Sequence, residues 1–181
     1  MIIYVVDTNF FIQAHRLNYP FDVATSFWNK VKKLADEGKI ISIDKVKKEI
    51  YGDKESEKDD ETDKTVKKDD ELTIWCKNNL PKVFFKDTSG LSHFYEQVVN
   101  WTLAKSNHYL PKAISEFLDA DEADAWLVTY ALEDKANRII VTQEISNPQK
   151  RNEIKIPDVC NDFDIKYVNT IGLFRQLGES F

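Results

Sequence analysis

Apolar positions along this chain follow two periods. Residues 2–6 (IIYVV), residues 40, 41 and 43 (all Ile) and residues 138–142 (RIIVT) form short runs that are apolar and mostly β-branched. Such runs suit the strands of a parallel sheet buried on both faces. Elsewhere apolar residues recur every three or four positions. Phe21, Ala24, Phe27, Trp28, Val31 and Leu34 predict a helix opened by Pro20 and Asp22 and stopped by Gly38. Residues 10–16 predict a short helix after the first strand, with Thr8 and Asn9 as its caps, and Asp44 caps a helix carrying Val46, Glu49 and Ile50. Leu72, Ile74 and Trp75 restore order as far as Leu80, further helices are expected over residues 90–105 and 111–118, and the best-formed one over residues 121–134. Residues 83–85 predict a short strand. KIPDV at residues 155–159 leads into another helix, Tyr167 and Val168 form a last strand, and Thr170 caps a closing helix.

Strands alternating with helices, without internal repeats, predict an α/β protein: a single three-layer α/β/α domain over residues 1–181 with a mostly parallel central sheet. Residues 52–71 are different material, rich in Lys, Asp and Glu, with Val66 the only large apolar residue. The expectation there is a charged insertion that is mobile or solvent-exposed.

Composition adds few constraints. The 181 residues are 42% hydrophobic and 12% aromatic, enough for a sizeable core. Twenty-five Lys and Arg against 31 Asp and Glu leave a net charge of −6. That is the wrong sign for a protein that coats nucleic acid non-specifically, though it leaves room for a nuclease whose carboxylates hold cations. Cys76 and Cys160 have no zinc-ligand spacing and read as free thiols. No basic leader precedes the first strand, and no apolar run reaches the roughly 18 residues a membrane helix needs. The expectation is a cytoplasmic protein with no membrane partner. His15, His93 and His108 share no motif, and Trp28, Trp75, Trp101 and Trp126 suit a core better than a stacking platform.

The candidate chemistry lies in carboxylates. Asp7 ends the first strand, where open α/β sheets bind ligands. As an isolated residue it is equally a helix cap. Asp124 borders the apolar stripe of Ala123, Leu127 and Ala131, Asp121 stands three residues earlier, Glu49 lies beside Val46 and Ile50, and Glu144 follows the late strand. Each has an ordinary structural reading, such as an acid at a helix N-terminus. Converging at one sheet edge, they would repel one another unless cations filled the cluster or protons were retained. Oxygen-only ligands favour Mg²⁺ or Mn²⁺ over zinc.

Four segments in order, VVDTN at residues 5–9, the acid of VKKEI at residues 46–50, DADEADAWLVTYA at residues 119–131 and IIVTQE at residues 139–144, resemble the PIN domain family of nucleases. The resemblance runs from about residue 2 to about residue 175. It implies a PIN-like fold and metal ligation by Asp7, Glu49, Asp124 and Glu144. Glu144 departs from the family pattern, which has Asp there. The activity implied is Mg²⁺- or Mn²⁺-dependent endoribonucleolytic cleavage of single-stranded RNA by a metal-activated water. Thr8, Asn9 and Thr142 would steady a ligand or the phosphate, and Arg151 and Lys155 would grip the backbone. The resemblance also permits a toxin held silent by a small antitoxin protein, and a homodimer. The alternative is a catalytically weak or inactive PIN-like protein-interaction module.

Other Asp-after-strand families fit less well. A haloacid-dehalogenase-type phosphotransferase wants a second Asp where this chain has Asn9. A receiver domain wants paired acids near the N-terminus. A dinucleotide fold wants a glycine-rich first turn, and this turn has none. Because residues 52–71 carry almost nothing that could fill a core, deleting residues 54–65 is expected to leave the thermal midpoint nearly unchanged. A large drop with lost solubility in thermal melts would mean that the stretch is a packed element.

Overall fold

The computed structural model describes residues 1–52 and 70–181. The expectation for the charged stretch falls mostly on residues 53–69, outside the described residues. Five strands, β1 (Ile3–Val6), β2 (Ile40–Ile43), β3 (Phe85–Lys86), β4 (Arg138–Val141) and β5 (Lys166–Val168), form one sheet in the order β3-β2-β1-β4-β5. Every pairing is parallel. Around it, among the described residues, lie α1 (Thr8–Gln13), α2 (Thr25–Asp36), α3 (Asp44–Tyr51), α4 (Glu71–Asn79), α5 (Ser92–Ala104), α6 (Pro111–Phe117), α7 (Asp124–Glu133), α8 (Ile156–Phe163) and α9 (Thr170–Leu177). The result is a three-layer α/β/α domain.

The β-branched runs behave as their chemistry requires. Val5, Val6, Ile40, Ile43, Ile140 and Val141 are fully buried, since a parallel strand between helical layers has no wet face. The one polar residue inside β2, Ser42, is also fully buried and donates its hydroxyl to the Val6 carbonyl at 2.7 Å, so its burial is compensated.

The chain winds outward from β1 through β2 to β3, then returns and continues from β4 to β5. Helix α2 packs against β2, α7 against β4 and β2, and α8 against α7 and β5. The winding direction reverses between β1 and β4, and there the two strands pair from Ile3 with Arg138 to Val6 with Val141. Asp7, Thr142, Gln143 and Glu144 therefore leave the carboxyl edge of the sheet side by side, at the topological switch point.

Several boundaries differ from the sequence expectation for local reasons. Helix α1 ends at Gln13, and residues Ala14–Asn18 continue as a π turn closed by Tyr19 N–H donating to the Ala14 carbonyl at 2.6 Å. Helix α2 begins at Thr25, because residues 20–24 form a turn in which Ala24 N–H donates to the Pro20 carbonyl. Helix α7 begins at Asp124, not 121: the Asp119 side chain accepts the Asp121 N–H at 3.0 Å, and such a local bond competes with helix. The caps also move by one residue. Asp7, not Thr8 or Asn9, caps α1, and Asn169, not Thr170, caps α9 by accepting the Gly172 N–H at 2.7 Å. Asp44 is the first residue of α3 and accepts the Thr88 hydroxyl.

Beneath α2, Phe27 touches the rings of Phe10, Tyr19, Trp28, Phe174 and Phe181 and is fully buried. Trp28 is likewise buried, while Trp75, Trp101 and Trp126 are partly buried against the core. Since Phe27 joins α1, α2, α9 and the C-terminus in one aromatic cluster, Phe27→Ala is expected to cost about 3–5 kcal/mol. Urea denaturation should show the lower midpoint with an unchanged slope. A loss under about 1 kcal/mol would mean that the cluster closes over the cavity.

Candidate functional site

Asp7 is the anchor of the site. It is 3% exposed, at the end of the central strand. Oδ1 accepts the Phe10 N–H at 2.7 Å, so Asp7 does cap α1. Oδ2 is buried with no hydrogen-bond partner. Leaving such an oxygen unpaired costs free energy, and capping accounts for only half of this carboxylate. Burial raises the Asp7 pKa to about 7; the neighbouring Thr142 hydroxyl and the Phe10 N–H oppose the rise, and the charges of Glu144 and Glu49 add to it.

Asp124, the first residue of α7, is half-buried and makes no hydrogen bond or ion pair among the described residues. Its carboxyl rises to about 8, chiefly through burial, then through the charges of Glu144, Asp7, Glu49 and Glu122. Asp124 thus feels Asp7 and both glutamates, and Asp7 feels the two glutamates.

Glu49 and Glu144 flank this pair, and both are already engaged. Glu49 Oε2 accepts the Thr8 hydroxyl and Oε1 accepts the Ala123 N–H at 2.8 Å. One side chain of α3 thereby ties the start of α1 to the start of α7. Its pKa is also raised, mostly by burial. Glu144 Oε1 accepts Lys155 Nζ at 2.8 Å, and Oε2 accepts the Ile156 N–H at the start of α8, also at 2.8 Å. Lys155 also bonds Glu153, which in turn pairs with Lys150. Lys155 is therefore a resident counter-ion of the acidic group, not a free cation waiting for phosphate.

The remaining candidates are dispersed. Asp121 is exposed and pairs with Lys48 at 2.8 Å, apart from the charges that act on Asp7 and Asp124. Arg151 is exposed, and its Nε donates to the His108 carbonyl at 2.9 Å. Thr142 is buried and accepts the Glu144 N–H. Asn9 is exposed on α1.

Two clefts open beside the group. One, of about 320 Å³, is lined by Glu116, Asp119, Glu122, Asp124 and Glu153 with a few apolar residues. The other, of about 400 Å³, includes Asn9, Gln13, Gln143, Glu144, Asn147 and Lys150. The acidic character of the first was not foreseen, since its residues come from three separate segments.

Among the described residues, no three His, Cys, Asp or Glu side chains stand as a ready-made ligand set. The reason is visible in the bonds: both glutamates face protein donors. The donor chemistry nevertheless fits a hard divalent cation at Asp7 and Asp124. Both present oxygen, one oxygen of Asp7 is orphaned, and both carboxyls are held in the protonated direction, chiefly by burial and further by neighbouring acids whose charge a cation would offset.

Once this geometry is in view, relatives can be placed beside it. The chain belongs to a family described as a domain of unknown function (DUF4411), whose model matches residues 4–181. No curated protein and no solved structure matches it.

The raised carboxyls set a pH dependence. In the unfolded chain Asp ionises near pH 3.9. In the folded, metal-free chain Asp7 and Asp124 keep their protons to about 7 and about 8. Between those limits the folded state binds more protons, so these two groups make stability fall as pH rises from about 4 to about 8. Asp7→Asn and Asp124→Asn are expected to flatten that fall and to raise the metal-free melting temperature at pH 8 by a few degrees. Melting curves across the range in a chelating buffer check this. Variants that track wild type at every pH would show that neither carboxyl is destabilised by its surroundings.

Proposed function

We propose that this protein is a divalent-metal-dependent endoribonuclease of PIN-like type that hydrolyses single-stranded RNA. The observation that carries the reading is Asp7 at the sheet's switch point with its Oδ2 buried and unpartnered, and with the charges of Asp7, Glu49 and Glu144 all acting on Asp124. The order of the four acidic motifs along the chain supports it, as does the position of the group at the mouth of two clefts.

Asp7 and Asp124 would hold Mg²⁺ or Mn²⁺. When bound, such an ion lowers the pKa of a coordinated water and offsets the charge developing on the scissile phosphate. The protein's own groups do the rest. Phe10 N–H fixes Asp7 Oδ1, which aims Oδ2 away from the cap. Glu49 holds α1 and α7 in register, so Asp7 and Asp124 keep their spacing. Lys155 neutralises Glu144, which limits the repulsion that the other acids must withstand. With carboxyls near pH 7 and 8, the metal-free site retains protons at neutral pH, so ion binding displaces them and tightens as pH rises. The reading places the protein in the cytoplasm. Containment of such an activity by a small antitoxin protein, and a homodimer, belong to the same proposal.

A second reading is a PIN-like interaction module without strong catalysis. The engagement of both glutamates favours it, since saturated side chains make poor ligands. The two readings part on one experiment. For the nuclease, Mn²⁺ raises the wild-type melting temperature, because the ion binds only the folded chain. Asp7→Asn loses that shift and lowers single-stranded RNA cleavage by about a hundredfold or more. If Asp7→Asn still cleaves RNA with an undiminished Mn²⁺ response, the nuclease assignment of Asp7 is wrong. A wild type that neither responds to Mn²⁺ nor cleaves leaves the interaction module.

A further inference from the structure

The two clefts beside the acidic group differ in chemistry. The cleft at Asp124 is walled by Glu116, Asp119, Glu122 and Glu153. A polyanion entering it would meet like charge on each wall, at a cost that grows as water is excluded. The cleft at Glu144 is walled mainly by carboxamides: Asn9, Gln13, Gln143 and Asn147, with Ser146 beside them. Its one acid, Glu144, is neutralised by Lys155, and Lys150 stands at its rim. An RNA strand that reaches Asp7 therefore has only one electrostatically open approach among these two.

The amides are placed by the fold. Asn9 and Gln13 are four residues apart on α1 and share one face. Gln143 lies two residues beyond the end of β4 and is anchored by donating to the Thr170 hydroxyl. Asn147 lies on the loop beyond Glu144, whose backbone is pinned because Asp158 accepts the Asn147 N–H and the Ser146 hydroxyl. The side-chain amides of Asn9, Gln13 and Asn147 make no hydrogen bond among the described residues. Each offers two donors and an acceptor, and no aromatic ring lines this cleft.

Unspent amides on pinned backbone, without a stacking platform, suit the reading of a base edge by paired hydrogen bonds. Asn and Gln do this most readily with an adjacent donor and acceptor on a purine such as adenine. In A-form RNA that edge lies in a groove too deep and narrow for side chains, so it is readable only on an unpaired nucleotide. We infer that the Asn9–Gln13–Asn147 cleft is the nucleobase-recognition subsite, which seats one unpaired nucleotide next to the scissile phosphate and gives the enzyme its sequence preference. This rests on the proposed nuclease function and deepens it.

The test separates recognition from cleavage. Binding of short labelled homopolymer RNAs, oligo-A, -C and -U, is measured by fluorescence polarisation in the full-length Asp7→Asn background, without metal. The background protein is expected to prefer oligo-A. Adding Asn9→Ala with Gln13→Ala should weaken that binding about tenfold and remove the preference. Gln13→Glu, which keeps the size and the helix but replaces the amide donors with a carboxylate, should do the same without Ala's loss of volume. Glu116→Gln with Glu122→Gln, in the other cleft, should leave the preference as it was. Binding that is indifferent to the amide substitutions, or a preference that shifts with the acidic-cleft variants, overturns the assignment while leaving the nuclease reading standing. No binding of any of the RNAs by the background protein overturns the subsite, while the nuclease reading falls separately if wild-type protein with Mn²⁺ cleaves none of them.

Discussion

The site depends on burying Asp7 in the middle of a sheet. A carboxylate at 3% exposure with one oxygen unpartnered is costly in any protein. The cost is met locally in two ways: Phe10 N–H and the Thr142 hydroxyl favour the charged form, while burial and the surrounding acids drive the group toward protonation. The balance lies near neutral pH, so small changes in the surroundings change the charge of the site. A group poised in this way is expensive to maintain as mere structure, because an Asn could cap α1 equally well without the charge.

That poise is possible because the two glutamates act as struts. Glu49 reaches from α3 to α1 and α7, and Glu144 reaches from the end of β4 to α8 and Lys155. Each ties together elements that are far apart in sequence but meet at the switch point of the sheet. The acids most exposed to mutual repulsion are thus the ones without struts, Asp7 and Asp124. The group divides into two glutamates whose oxygens are all engaged by protein donors and two aspartates that are not, since Asp7 Oδ2 and the Asp124 carboxyl have no such partner among the described residues.

Much of the fold was legible because its strands are β-branched and short and its helices carry wide apolar stripes. Ile40–Ile43 and Arg138–Val141 lie where the apolar runs put them. Boundaries were lost where a side chain outbid the helix for backbone bonds, as Asp119 does ahead of α7, or where a π turn extended one, as after Gln13. Asp7 shows why capping and ligand readings were hard to part: its two oxygens do different things. The ion pair of Lys155 with Glu144, eleven positions away, was not legible because such a pair has no signature in spacing. Asp121 shares a sequence neighbourhood with Asp124, but the turn before α7 sends it to Lys48. Gln13 and Asn147 carry no motif at all, and only their meeting beside Glu144 singles them out.

The net charge of −6 takes on a different meaning once it is distributed. Part of the excess is gathered around Asp124, in the cleft shared by Glu116, Asp119, Glu122 and Glu153, whereas the cleft at Glu144 is neutral in its walls and lysine-bearing at its rim. A polyanionic substrate then needs no overall attraction to the protein. Under the proposed function it would need one approach that does not repel it, and a cation held by Asp7 and Asp124 would change the local sign once it had arrived.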